Sequence, residues 1–261
     1  MDLNLRGKNA LVCGSSKGIG KAAALEIAQL GANVTLVARS AEIMADITRQ
    51  MDKSQGQTHD FLAADFSDLQ DLQLKVRGLV SAKPIHILVN NTGGPPSGPI
   101  LDADIEAFRD AYEKHLICNH FLVQAVVPGM KKEGYGRVIN IISTSVKAPL
   151  DNLGVSNTVR AAVGNWAKTL ANELGRFGIT VNSVLPGATQ TDRLMQIIEN
   201  KAAKESRSIA EVTAEMQREI PLGRFGDPHE LGAAIAFLAS PAASYITGVA
   251  LAVDGGRLRN L

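Results

Sequence analysis

The chain has 261 residues, 45% of them apolar and 20% charged, a balance ordinary for a soluble globular protein built on one large core. Lys plus Arg number 27 against 26 Asp plus Glu, and aromatic residues make up 4%, so there is neither a field to draw in nucleic acid or an anionic membrane nor a set of platforms for stacking bases. Cys13 and Cys118 have no spacing suited to a metal or a disulfide framework, and no basic-then-apolar leader or bilayer-length apolar run occurs, which together lead us to expect a cytoplasmic protein.

The first informative stretch is Ala10 to Gly20, A-L-V-C-G-S-S-K-G-I-G. An apolar strand runs into glycines at 14, 18 and 20 and then into a helix. Gly14 lets the chain turn out of the strand, Gly18 removes a side chain that would hold a diphosphate away from the backbone, and Gly20 lets the helix lie close to the sheet. The helix start carries unpaired N–H groups and the positive dipole end, a natural anion site. Gly14, Ser16, Lys17, Gly18, Ile19 and Gly20 are therefore candidate cofactor contacts.

That helix ends at Gly31, and Val34–Ala38 reads as a buried strand. Where a dinucleotide fold holds NAD through an acid about 20 residues past the glycine turn, this chain has Arg39 and Ser40. With Lys17 they suit the 2′-phosphate, so NADP(H) is expected over NAD(H). A helix (41–52), a short strand (58–63) ending near Asp65, and a helix to about Ser81 follow. Ile85–Val89 is a strand apolar enough to be buried on both faces. It closes in Asn90-Asn91-Thr92-Gly93-Gly94, a turn in the crevice where open α/β sheets bind ligands, and then a stiff Pro-rich loop, 95–99.

A helical region runs from Asp102 to about Lys132 and is irregular near Lys114-His115. Arg137–Ser143 is the fifth strand, Gly154–Gly175 a long helix and Thr180–Leu185 the sixth strand. Asp192–Glu219 is a polar helical excursion too poor in apolar residues to be sheet-packing core throughout, and is expected to form a helical lid at about 188–220. A last helix (228–240) leads to a seventh strand within 248–256. Strands alternating with helices imply a parallel sheet with right-handed crossovers and helices on both faces. No repeat or linker divides residues 1–261.

In this order the motifs resemble the single-domain short-chain dehydrogenase/reductase family, with the 3-oxoacyl-acyl-carrier-protein reductases as the most similar branch. They are the glycine loop, Asp65, Asn90–Gly93, Asn140-Ile141-Ile142-Ser143, Pro186-Gly187 with Thr191, Pro221–Gly226, and Tyr245–Gly256. The resemblance implies a doubly wound Rossmann fold of the α/β class with a seven-stranded parallel sheet. It implies that Asp65 and Phe66 flank the adenine, that Asn91, Thr92 and Gly93 line the cofactor, and that Pro186, Gly187 and Thr191 meet the nicotinamide. A homotetramer and a small-molecule substrate are implied as well.

One departure decides the chemistry. Family members carry a Tyr thirteen residues after the catalytic Ser and a Lys four residues further on. Counted from Ser143, those positions hold Ser156 and Arg160, and the three tyrosines stand at 112, 135 and 245. His115 occupies the place of a family Asn that ties the Lys to a water chain, and Cys13 replaces a Thr. An aliphatic hydroxyl is a far weaker acid than a phenol of pKa about 10, and Arg cannot relay a proton. Arg160 is expected to keep the positive charge at the cofactor ribose, while the proton task moves to His115, whose reference pKa of about 6.5 suits it. Ser143, Ser156, Arg160 and His115 are thus the candidate catalytic set. The expected function is an oxidoreductase of a carbonyl or alcohol; the alternative is a nucleotide-binding homologue of little turnover with a sensing or partner role. Dehalogenase chemistry is disfavoured, since such relatives keep the Tyr and lose the nucleotide loop.

Overall fold

The computed structural model describes residues 1–260. Strands β1 (Asn9–Cys13), β2 (Asn33–Ala38) and β3 (His59–Ala63) alternate with helices α1 (Gly18–Gln29) and α2 (Ala41–Gln50). Helix α3 (Leu69–Ala82) leads to β4 (Ile87–Asn90), followed by α4 (Ile105–Tyr112) and α5 (Cys118–Glu133). Beyond them lie β5 (Gly136–Ile141), α6 (Gly154–Leu174) and β6 (Ile179–Pro186). Helices α7 (Asp192–Glu205), α8 (Ile209–Arg218) and α9 (Pro228–Ala239) precede β7 (Ala250–Val253).

The seven strands form one sheet in the order β3-β2-β1-β4-β5-β6-β7, all parallel. Period-two alternation assigns each strand's side chains to two cores. From β1, Ala10 and Val12 enter the core beneath α1, α2 and α9, while Leu11 and Cys13 enter the one beneath α3, α5 and α6. Both faces are covered, which explains why the strands read as continuous apolar runs. The order reverses between β1 and β4, whose connections leave to opposite faces, and the crevice at their carboxyl ends is where such sheets take ligands.

Three features shape that crevice. A π-helical turn, Glu113–Ile117, joins α4 to α5 at the irregularity expected near Lys114-His115. Strand β5 stops at Ile141, two residues earlier than the sequence pattern suggests, so Ser143 stands outside the strand. The excursion after β6 is the helix pair α7–α8, whose Leu194, Ile198, Val212 and Met216 bury against Ile220 and Phe225 in a cluster of their own. A polar knot of Lys201, Arg207, Glu205 and Glu215 fastens the pair. No described helix is long and apolar enough to cross a membrane.

Candidate active site

The glycine turn is built by close approach. Gly14 has φ +58°, and a Cβ on it would stand 2.6 Å from Asn91 Nδ2; a Cβ on Gly20 would stand 2.2 Å from the Gly14 carbonyl oxygen. Asn91 Nδ2 donates to that same oxygen at 3.1 Å, locking the β1 turn to the end of β4. Helix α1 has no acid in its first turn, and its N-cap, Lys17, makes no side-chain cap, so its first N–H groups stay open to an anion. These features fit the diphosphate of a dinucleotide, and Gly93 leaves open space within 4 Å of where a side chain would begin.

One cleft of about 1990 Å³ gathers all the candidate residues named from the sequence except Gly20 and His115. Gly20 lies beneath the turn. Arg39, exposed at the end of β2, has no ion-pair partner among the described residues. Asp65 has its carboxyl held below the usual range first by the Ser67 backbone N–H, and also by the charges of Arg39 and Lys114. An acid therefore does stand within Arg39's field. Ser40 caps α2 by accepting from the Ile43 N–H at 3.5 Å. Lys17 lines the cleft and pairs its ammonium with Asp192 of α7 at 2.6 Å, in the open.

At the far end of the cleft, Ser143 Oγ accepts from the Ser145 N–H at 3.0 Å, and Ser156 Oγ accepts from Arg160 Nε at 3.2 Å. Each hydroxyl is left with its proton to give. Ser156 and Arg160 are one turn apart on α6, and so share a face. The guanidinium is anchored where β5 ends, Nη1 donating to the Ile141 and Ile142 carbonyls at 3.1 and 3.0 Å. Burial and the charge of Arg193 depress its pKa to about 10, so it remains a cation at neutral pH.

His115 is set apart from the other candidates. The imidazole is buried at 4% exposure, does not line the cleft, and has its pKa pushed down to about 3, chiefly by burial and next by Arg160, against a hydrogen bond with the Gly93 backbone. Desolvation and a neighbouring cation both penalise the imidazolium, so the ring is held in its neutral form. The residue braces the π-helical turn against the Asn91–Gly93 segment.

Arg193, in the first turn of α7, was not singled out from the sequence. Nη2 donates to the Pro95 carbonyl at 2.7 Å, bringing α7 to the loop after β4. The available signal was a cation at a helix N-terminus, set against the dipole.

A family model described as enoyl-(acyl carrier protein) reductase matches residues 14–257. The 3-oxoacyl-[acyl-carrier-protein] reductase FabG of Vibrio harveyi is 34% identical over 97% of this chain and 98% of its own. The 7alpha-hydroxysteroid dehydrogenase of Escherichia coli K12 is 31% identical over 100% and 98%. Among solved structures, the L-sorbose reductase of Gluconobacter frateurii, complexed with NADPH and L-sorbose, superposes with a TM-score of 0.92 at 31% identity over all of both chains. YwfH, an NADPH-dependent reductase involved in bacilysin biosynthesis, gives 0.92 at 29%, covering 97% and 99%. With its parallel sheet, its glycine turn and relatives that match it from end to end, the chain belongs to the short-chain dehydrogenase/reductase family.

Proposed function

We propose that the protein is an NADP(H)-dependent oxidoreductase that interconverts a carbonyl and an alcohol through two serine hydroxyls and a fixed guanidinium. The observation that carries this reading is that Ser143 and Ser156 both have oxygens already engaged by N–H donors and open onto the cleft that holds the glycine turn. A dihydronicotinamide bound beside them supplies the hydride to the carbonyl carbon. Ser143 and Ser156 then donate hydrogen bonds to the carbonyl oxygen, and Arg160 stabilises the charge that gathers there as an oxyanion hole does. Neither serine has to ionise. The proton that completes the alcohol comes from water in the cleft, relayed across the Ser156 hydroxyl. Forgoing a phenolic acid costs about 10²–10⁴ in rate, which leaves a slow enzyme rather than an inert one because positioning alone is worth about 7–11 kcal/mol.

Preference for NADP(H) rests on Arg39 and Ser40 at the end of β2, together with Lys17 of the glycine loop. Helices α7 and α8 serve as the lid, tied across the cleft by Arg193 to Pro95, Lys17 to Asp192 and Lys204 to Asn152. The exposed Tyr245, Val249 and Leu251 about the edge strand β7, with Tyr112 and Ile117 on the helical arm, support a homotetramer, which light scattering at micromolar concentration checks; a monomer removes that part of the reading.

A second reading, a nucleotide-binding homologue with little turnover, is favoured by one observation: His115 is neutral and lies behind the cleft wall rather than in it. Single-turnover oxidation of bound NADPH against a panel of ketones, quinones and acyl thioesters separates the two. Oxidation by one class, accelerated in the Ser156→Tyr/Arg160→Lys double variant, supports the enzyme. NADPH that binds but is oxidised by none of them, in either protein, supports the second reading.

A further inference from the structure

Two guanidiniums converge in the cleft without a counter-ion. A Cβ placed on Gly94 would stand 3.5 Å from Arg160 Nη2 and 3.9 Å from both Nε and Nη2 of Arg193. The two arrive from different elements, Arg160 from α6 and Arg193 from the lid, so their meeting is a product of the closed tertiary structure. Among the described residues, neither forms an ion pair. Of the acids of the α7–α8 pair and its flank that line the cleft, Asp192 pairs with Lys17, Glu205 with Lys201 and Arg207, and Glu219 with Arg257, while Asp151 on the opposite wall forms no ion pair with either arginine.

Their hydrogen bonds leave donors over. Arg160 spends Nε on Ser156 and Nη1 on two carbonyls, and its Nη2 has no protein acceptor; Arg193 spends Nη2 on Pro95, and its Nε and Nη1 have none. A guanidinium carries five N–H donors in a planar fork matched to an oxyanion. Desolvation depresses the pKa of both, and the charge of Arg193 adds to the effect on Arg160. Two like charges drawn out of water and facing one another are unfavourable unless an anion comes between them.

We propose that Arg160 and Arg193 form an anion site for the substrate, so that the carbonyl compound this protein takes is an oxo acid whose carboxylate lies between the two guanidiniums and whose carbonyl faces the Ser143 and Ser156 hydroxyls. The substrate class rests on the oxidoreductase reading above; the anion site does not. Charge-assisted bonds from two planar donors orient the substrate, and lid closure delivers the second of them. The site therefore completes itself only when α7 lies over the cleft, which couples recognition of the anion to closure. The other source of an anion at this spot is the cofactor's own diphosphate, and saturating the protein with NADP⁺ before adding ligand distinguishes the two.

The test is calorimetric titration of the NADP⁺-saturated protein with acetoacetate and 2-oxobutyrate, each against its methyl ester. We expect at least one acid to bind about tenfold or more tightly than its ester, the scale of a charge-assisted pair. Arg193→Gln erases that difference and leaves NADP⁺ affinity within about twofold, while Arg193→Lys retains part of it; circular dichroism and a retained NADP⁺ affinity verify the fold of each variant. Equal binding of acid and ester, no binding of either acid, or an undiminished preference in Arg193→Gln overturns the site. A large loss of NADP⁺ affinity in Arg193→Gln assigns the pair to the diphosphate and also overturns it. Binding of the acid here, with no oxidation of bound NADPH by the same acid in the single-turnover assay above, keeps the anion site and removes the oxidoreductase reading instead.

Discussion

The two banks of the cleft meet negative charge by different means. On the β1–α1 bank the donors are backbone N–H groups at a helix start, with two exposed cations at the rim, Arg39 and the Asp192-paired Lys17. On the α6–α7 bank they are side chains, two partly desolvated guanidiniums held by carbonyl oxygens at the end of β5 and in the loop after β4. Backbone donors in a glycine turn are fixed as soon as the turn forms. Side-chain donors are placed only when distant segments pack. Ser156 and Arg160 both stand on the second bank.

Removing the buried cation gives the largest expected effect. Arg160→Ala should lower NADPH oxidation about 10²–10³-fold in steady-state assays, the scale of losing an oxyanion donor, and should weaken cofactor binding as well. A fall below about tenfold would mean that this bank does not act on the reacting oxygen. On the opposite bank, Arg39→Asp should reverse the order of NADP⁺ and NAD⁺ in calorimetry, since a carboxylate repels a 2′-phosphate and accepts from a 2′-hydroxyl. The advantage Arg39 gives NADP⁺ should shrink as salt rises, because exposed charges are screened and buried ones much less so; a salt-insensitive preference would erase that contrast between the banks.

His115 sharpens the comparison through pH. Its folded pKa of about 3 lies below the unfolded value near 6.5, so between these limits the unfolded chain binds the extra proton. Stability from this residue is fully present above about pH 6.5 and is lost as pH falls toward 3, with a slope of up to about 1.4 kcal/mol per pH unit. Urea unfolding at pH 7 and pH 5 should show that loss, and His115→Asn should reduce it. Turnover, by contrast, should carry no inflection that disappears with His115→Asn; if one near 6–7 does, the imidazole takes part in proton transfer after all. The smallest effect belongs to Gly94→Ala, whose methyl makes ordinary contacts with both guanidiniums. It should weaken oxo-acid binding a few-fold, about 1 kcal/mol, and leave NADP⁺ affinity unchanged.

Much of the fold was legible because its determinants are local. Buried parallel strands must be apolar at successive positions, and the turn after β1 needs glycine where φ is positive and where a Cβ would meet the chain from β4. The irregular stretch at Lys114-His115 was legible too, as the place where helical periodicity fails, and it became the π-helical turn. The ion-pair partner of Lys17 was not legible, because a long exposed side chain takes whichever partner lies nearest. Asp192 belongs to α7, far along the chain.

The sequence by itself determined the order and type of the elements, the glycine turn after β1, and the cations at 39 and 160. These follow from sterics and periodicity within short windows. Only the tertiary structure decided that His115 is shut away from the cleft and held neutral, that both serine oxygens accept N–H bonds and keep their protons free, and that Arg193 of the lid comes to meet Arg160 over Gly94. Desolvation and charge proximity belong to surroundings assembled from segments distant in sequence, and a pattern read along one strand or one helix carries no record of them.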